Sequence, residues 1–152
     1  MPGQRTSEHR SGGSGLGLAR KVELGLLVLL DLLVVSVGLR RRRLPDLVRA
    51  LRGRALLRIR ALEPRRLGKI VYRVLSPGTY EPRCLVSSLV FLRMLRRQGT
   101  AAEVVIGLPP EPATHETHAW VEVDGREVGP PPGRLGHREM ARFGASRGTA
   151  PS

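Results

Sequence analysis

A chain of 152 residues, 41% of them hydrophobic, holds one domain with a modest core. Aromatics make up only 3%, so Leu and Val must fill that core. The net charge of +13, from 26 Lys+Arg against 13 Asp+Glu, favours an anionic partner: an acidic peptide, nucleic acid or a membrane surface. Only Lys21 and Lys69 are lysines, an arginine bias that a GC-rich genome produces as readily as a function does. The single cysteine, Cys84, excludes an internal disulfide, and the default expectation is a cytoplasmic location.

In chain order, residues 1–18 are polar and rich in Gly and Ser, which predicts a disordered tail. Residues 24–39, LGLLVLLDLLVVSVGL, are the most apolar stretch and precede Arg40–Arg43. Sixteen residues with Asp31 in the middle are short for a membrane span, and no small-residue cleavage site follows as in a signal peptide. The expectation is a buried helix from about Ala19 to Val37, with contact to a membrane surface as the lesser reading. Pro45 suits the first turn of a second helix carrying Leu47, Leu51 and Ala55. Glu63-Pro64 interrupts. Residues 66–75 then place Leu67, Ile70, Val71 and Val74 on one helical face. The thirteen Lys+Arg between Arg40 and Arg73, against Asp46 and Glu63, predict the solvated side of these helices.

Ser76-Pro77-Gly78-Thr79 is a turn signal. From Cys84 to Arg97 the spacing predicts a helix with Leu85, Leu89, Leu92 and Met94/Leu95 inward and Arg93, Arg96 and Arg97 outward, closed by Gly99. A short strand follows over 102–108. A Pro-rich loop leads to an alternating strand over 118–123, the hairpin signal Asp124-Gly125, and a return strand from Arg126 to Val128. Pro130–Gly133 ends it, and the remainder, closing on GASRGTAPS, reads as frayed. The order implies an α+β fold with an N-terminal helical region (19–65), a core (66–143) and a second tail (144–152).

Cys84 is the candidate nucleophile. It sits just after Pro82-Arg83, at the expected first turn of its helix, where unpaired amides and the positive end of the helix dipole favour a thiolate. His118, opening a downstream strand, is the candidate base: it would take the thiol proton and return it to a leaving amine. A Cys and a His 34 residues apart mean little alone. The order of a Cys-headed helix, a strand, then a His-headed hairpin resembles the transglutaminase-like and papain-like cores. RCLVSSLVFLRMLRRQGTAAEVVIGL followed by HAWVEVDGREVG resembles the leader peptidases of lasso-peptide biosynthesis, in the split form where a separate small protein recognises the leader. The resemblance spans about residues 66–129. It implies a cysteine peptidase with Cys84 as nucleophile and His118 as base. The partners it implies are the precursor peptide, the leader-recognition protein and an asparagine-synthetase-like macrolactam cyclase.

One departure stands out. The resemblance implies an orienting aspartate about twelve residues past the histidine, which falls near Pro130, and no Asp follows Asp124. In a regular hairpin His118 faces about Pro131. Glu127 is four residues short, and Asp124 lies at the far end of the hairpin. Glu116 or Glu122 takes the acid's place only if the local geometry departs from a regular hairpin. Either a backbone carbonyl orients His118, or the enzyme is weakened, or the protein is a degenerate copy that serves as a binding or assembly subunit.

His115 and His118, three apart, point to opposite faces of a strand and make a poor metal pair. No cofactor or metal is expected. Trp120 shares a face with His118, either as core or as a wall of the cleft. His9 and His137 are assigned no role. Nucleic-acid binding fits the charge, but aromatics are scarce and no binding motif is present.

Overall fold

The computed structural model describes residues 16–51, 57–77, 84–109, 117–129 and 136–144. Among the described residues, four helices precede a four-stranded antiparallel sheet, so the α+β expectation holds. The helices are α1 (Leu18–Arg41), α2 (Leu44–Leu51), α3 (Pro64–Leu75) and α4 (Cys84–Arg97). The strands are β1 (Glu103–Leu108), β2 (His118–Val123), β3 (Arg126–Val128) and β4 (Arg138–Phe143). Residues 1–15 and 145–152 of the expected tails, the loop holding His115 and Glu116, and the stretch holding Pro130 and Pro131 lie outside the described residues, whereas Leu16 packs against the core and α1 already begins at Leu18, inside the expected N-terminal tail.

Local chemistry explains the element ends. Glu63 caps α3: its carboxylate accepts from the Arg65 and Arg66 amides at 3.0 and 2.8 Å, and Pro64 fills the first turn, where no amide partner is needed. Gly99, at φ +81°, closes α4. The Gly99 amide donates to the Arg96 carbonyl and the Thr100 amide to that of Leu95, the double bond of a left-handed helix end. Asp124 and Gly125 both adopt positive φ, as a two-residue hairpin turn demands, and Val123 pairs with Arg126 as the sequence implies.

α4 is the central element. It packs against α1, α3 and the sheet, and Leu89, Val90, Leu92, Met94 and Leu95 are fully buried. The expectation that Arg93, Arg96 and Arg97 face outward is corrected here. Arg97 is 2% exposed, and Arg93 is half-buried. Both reach Asp31, in the middle of α1, which is 0% exposed. Arg97 donates to its two carboxylate oxygens at 2.6 and 2.8 Å and Arg93 donates at 2.6 Å. The remaining Arg97 donor bonds the Leu57 carbonyl, and Gln98 holds the backbone of Leu62 at both its amide and its carbonyl. The C-terminal end of α4 thus fixes both α1 and the segment leading to α3.

α1 is buried along one stripe only: Leu24, Leu27, Val28, Asp31 and Val35. Leu18, Val22, Leu26, Leu29, Leu30, Leu33 and Val37 are exposed, which corrects the expectation of a buried helix. By length and composition α1 is apolar enough to cross a membrane, with a mean hydropathy of 2.4 over its best window. Its Asp31 is committed to two arginines of α4. The described arginines between Arg40 and Arg73, together with Lys69, are all exposed, which agrees with a solvated basic side.

The sheet order is β3-β2-β1-β4. Val104, Ile106, Val121, Val123, Val128 and Phe143 face the helices. The ladder registers place Val105, Gly107, His118, Trp120, Glu122, Glu139 and Arg142 on the opposite, outer face. β4 falls where the sequence reading expected a frayed end. Its apolar content is low, and a single cation ties it down: Arg142 reaches Glu103, Glu122 and Glu139, each at 2.7 Å.

Candidate active site

Cys84 is the first residue of α4 and is half-buried. Ser88, one turn further on the same helical face, is buried. The two side chains address the backbone of β2 in step. The Ser88 hydroxyl donates to the Ala119 carbonyl at 3.0 Å, and the Cys84 thiol lies 3.7 Å from the Thr117 carbonyl. Helix and strand thus run alongside each other, with residues four apart on α4 meeting carbonyls two apart on β2. The nucleophile candidate is brought to the open end of β2, at the residue directly before His118. The backbone amides of the first turn of α4 lie at the same end.

His118 is half-buried and opens β2 opposite Gly107 of β1. Its ring stacks on Trp120, with centroids 6.3 Å apart and planes at 24°. Trp120 is 9% exposed, and its indole N–H donates to Glu122 at 2.9 Å. The expectation of a buried tryptophan therefore holds. The indole occupies the space of the side chain that Gly107 lacks: a Cβ there would fall 2.8 Å from the ring. Glu122 shares the outer face with His118, but its carboxylate is bound to the indole and to Arg142. Glu127 pairs with Glu122 in the ladder, further along the hairpin, and Asp124 is in the turn.

Sequence reasoning assigned His137 no role, yet it stands beside His118. The ring centroids are 5.8 Å apart, edge to face at 61°. His137 directly precedes β4, and the pairings of Gly107 with Glu139 and Leu108 with Arg138 carry it to this end of the sheet. The signal that could have found it is slight: REMARF alternates weakly and holds one long apolar side chain besides Phe143. Among the described residues no group of three or more His, Cys, Asp or Glu is arranged to hold a metal ion.

The outer face carries one strong electrostatic feature. Arg142 is held protonated, its pKa raised chiefly by its hydrogen bond to Glu139 and further by Glu122 and Glu103. The same bond holds the Glu139 carboxyl below the usual carboxylate range.

Comparison with curated proteins gives no match, and comparison with solved structures gives none. A family model described as the transglutaminase-like superfamily matches residues 26–142, from within α1 to within β4. A Cys-headed helix laid along a His-headed strand is the arrangement expected of such a core, and this chain belongs to the transglutaminase-like superfamily.

Proposed function

We propose that this protein is a cysteine peptidase that releases the leader from a ribosomally made lasso-peptide precursor. The observation that carries the proposal is the position of the Cys84 thiol at the head of α4, against the Thr117 carbonyl and one residue from His118. The superfamily is cysteine-peptidase-like in general, and the stretches 83–108 and 118–129 resemble the lasso leader peptidases.

In this reading the Cys84 thiol gives its proton to the His118 imidazole, and the thiolate attacks the scissile carbonyl carbon. The oxyanion forms near backbone amides at the head of α4, that of Cys84 included. The C–N bond then breaks, and the imidazolium proton goes to the nitrogen of the departing core peptide. The leader remains as a thioester on Cys84. Water, deprotonated by His118, attacks the thioester carbonyl, releasing the leader carboxylate and restoring the thiol. Trp120 walls the imidazole and limits its rotation. The proposed partners are the precursor, a leader-recognition protein and the asparagine-synthetase-like cyclase that closes the ring, all in the cytoplasm.

The test is mass spectrometry of a precursor peptide incubated with the protein and a leader-recognition partner. Cleavage by wild type and none by Cys84→Ala supports the reading. Equal cleavage by both, or none by wild type while the partner binds leader, overturns it. The second result would favour a non-catalytic assembly subunit, a reading prompted by the engagement of Glu122 with Trp120 and Arg142.

A further inference from the structure

We infer that the outer face of α1 docks onto an anionic lipid bilayer, with the helix lying parallel to the membrane plane. Such docking does not depend on the chemistry of Cys84.

α1 has two faces with different fates. Leu24, Val28, Asp31 and Val35, spaced at three or four residues, are fully buried where the helix packs on α3 and α4. About half a turn away, at roughly 3.6 residues per turn, Leu18, Val22, Leu26, Leu29, Leu33 and Val37 keep the same spacing and are exposed, with Leu30 beside them. The stripe is about 28 Å long, at a rise of about 1.5 Å per residue. A helix on the surface of a soluble domain carries polar residues on that side. Here leucine and valine take their place. Each of the seven is 39–78% exposed, and soluble monomers rarely leave so continuous an aliphatic patch to water.

Charge says what covers the stripe. Arg40 follows Val37 at the same helical spacing, then Arg41, Arg42 and Arg43, and all four are exposed. The acids of α1 do not offset them: Asp31 is on the buried side with Arg93 and Arg97, and Glu23 pairs with Arg20. The whole chain carries +13. An aliphatic stripe that ends in four cations complements a surface with hydrocarbon beneath anionic headgroups. Crossing the membrane would pull Asp31 away from Arg97, which is 2% exposed, and leave that cation buried alone. The helix therefore lies on the bilayer. A second copy covers the stripe poorly. Parallel stripes bring Arg40–Arg43 against themselves, and antiparallel ones bring them against Lys21 and the Arg20–Glu23 pair, in two chains of high like charge. A protein partner's interface mixes hydrogen bonds with its apolar contacts, and the seven side chains offer neither donor nor acceptor.

The test is flotation of the full chain with vesicles of phosphatidylglycerol and phosphatidylcholine, and with vesicles of phosphatidylcholine alone. Wild type is compared with Leu26→Gln/Leu29→Gln/Leu33→Gln and with Arg40→Gln/Arg41→Gln/Arg42→Gln/Arg43→Gln. The control is Leu57→Gln/Met140→Gln, which removes two exposed apolar side chains outside α1. A thermal melt checks each fold, and light scattering gives the oligomeric state. The expected result is that wild type floats with the mixed vesicles, less as salt rises, and partitions at least about tenfold more weakly onto phosphatidylcholine. The leucine and arginine variants each lose at least about tenfold on the mixed vesicles, and the control floats like wild type. No flotation of wild type, equal flotation on both kinds of vesicle, wild-type flotation by either α1 variant, or an equal loss in the control overturns the inference. So does a wild-type dimer that the leucine variant dissociates, which gives the stripe to a second copy. If the triple leucine variant does not fold, Leu26→Gln and Leu33→Gln decide singly: a several-fold loss supports, none overturns. Precursor cleavage by Cys84→Ala would overturn the peptidase reading and leave these results to judge α1.

Discussion

Replacing Asp31 with Asn removes one charge from the most buried ionic contact among the described residues. The carboxylate accepts three bonds of 2.6–2.8 Å from Arg93 and Arg97, and Arg97 is 2% exposed. An amide keeps one acceptor oxygen and turns an NH2 group towards a guanidinium. Breaking a buried pair from one side leaves an uncompensated charge and costs about 3–5 kcal/mol. Against a total stability of roughly 5–15 kcal/mol that is a large fraction. It corresponds to a fall in Tm of about 10 °C, at roughly 2–4 °C per kcal/mol for a chain of this size. Urea melts followed by circular dichroism give the difference directly. The companion variant Asp31→Leu/Arg93→Met/Arg97→Met removes charge from both sides and recovers most of the loss, because well-packed apolar replacements of buried ion pairs are about neutral. The one carbonyl it abandons belongs to Leu57, which is exposed and open to water. A cost below about 1 kcal/mol for Asp31→Asn would refute the reasoning, since it would mean that solvent screens the site.

Other substitutions test other parts. Gly107→Ala places a methyl 2.8 Å from the Trp120 ring, so it forces the indole to move, at about 1–3 kcal/mol in a chemical melt, and slows Cys84 alkylation by displacing His118. Arg142→Met leaves Glu103, Glu122 and Glu139 without their shared cation; the expected loss is about 1–2 kcal/mol, summed from partly exposed pairs of up to ~1 kcal/mol each, with faster amide exchange in β4. Glu139 has its folded pKa lowered by Arg142, so its contribution is present above the ordinary carboxylate value of ~4.3 and is lost as the pH falls through the lower folded value. Fluorescence of Trp120, the single tryptophan, should show this acid transition and show it at higher pH in Arg142→Met. Leu24→Gln, at 0% exposure, should cost about 2–4 kcal/mol, whereas Leu26→Gln, at 63%, should stay within about 0.5 kcal/mol; equal costs would mean that α1 is turned differently.

Much of the site was legible in the sequence because its elements carry strong local signals. α4 begins at Cys84 and ends at Arg97 as its spacing predicts, with Gly99 as the left-handed stop. β2 and the turn at Asp124-Gly125 follow from alternation and from the positive φ that only a few residues tolerate. What escaped depends on contacts distant in the chain. The periodicity of α4 suggested an amphipathic helix, but a central helix is covered on nearly every side, and Arg93 and Arg97 go inward to one acid 62 and 66 residues away. Arg93 and Arg97, one turn apart, and the lone Asp31 in an apolar run were the available hint. β4 was missed because an edge strand held by Arg142 needs few apolar residues, and with β4 went His137, whose meaning comes only from the ring it meets. The stretch around Pro130, where the sequence comparison places an orienting aspartate, lies outside the described residues.

The most direct test of the peptidase reading is to catch the bond it requires. Wild type and Cys84→Ala, each with precursor and leader-recognition partner, are quenched in acid at early times, digested and analysed by mass spectrometry. The expected result is a leader adduct on the peptide containing Cys84 in wild type, lost on treatment with hydroxylamine, and neither adduct nor cleavage in Cys84→Ala. Precursor cleaved at the same rate by Cys84→Ala would contradict it.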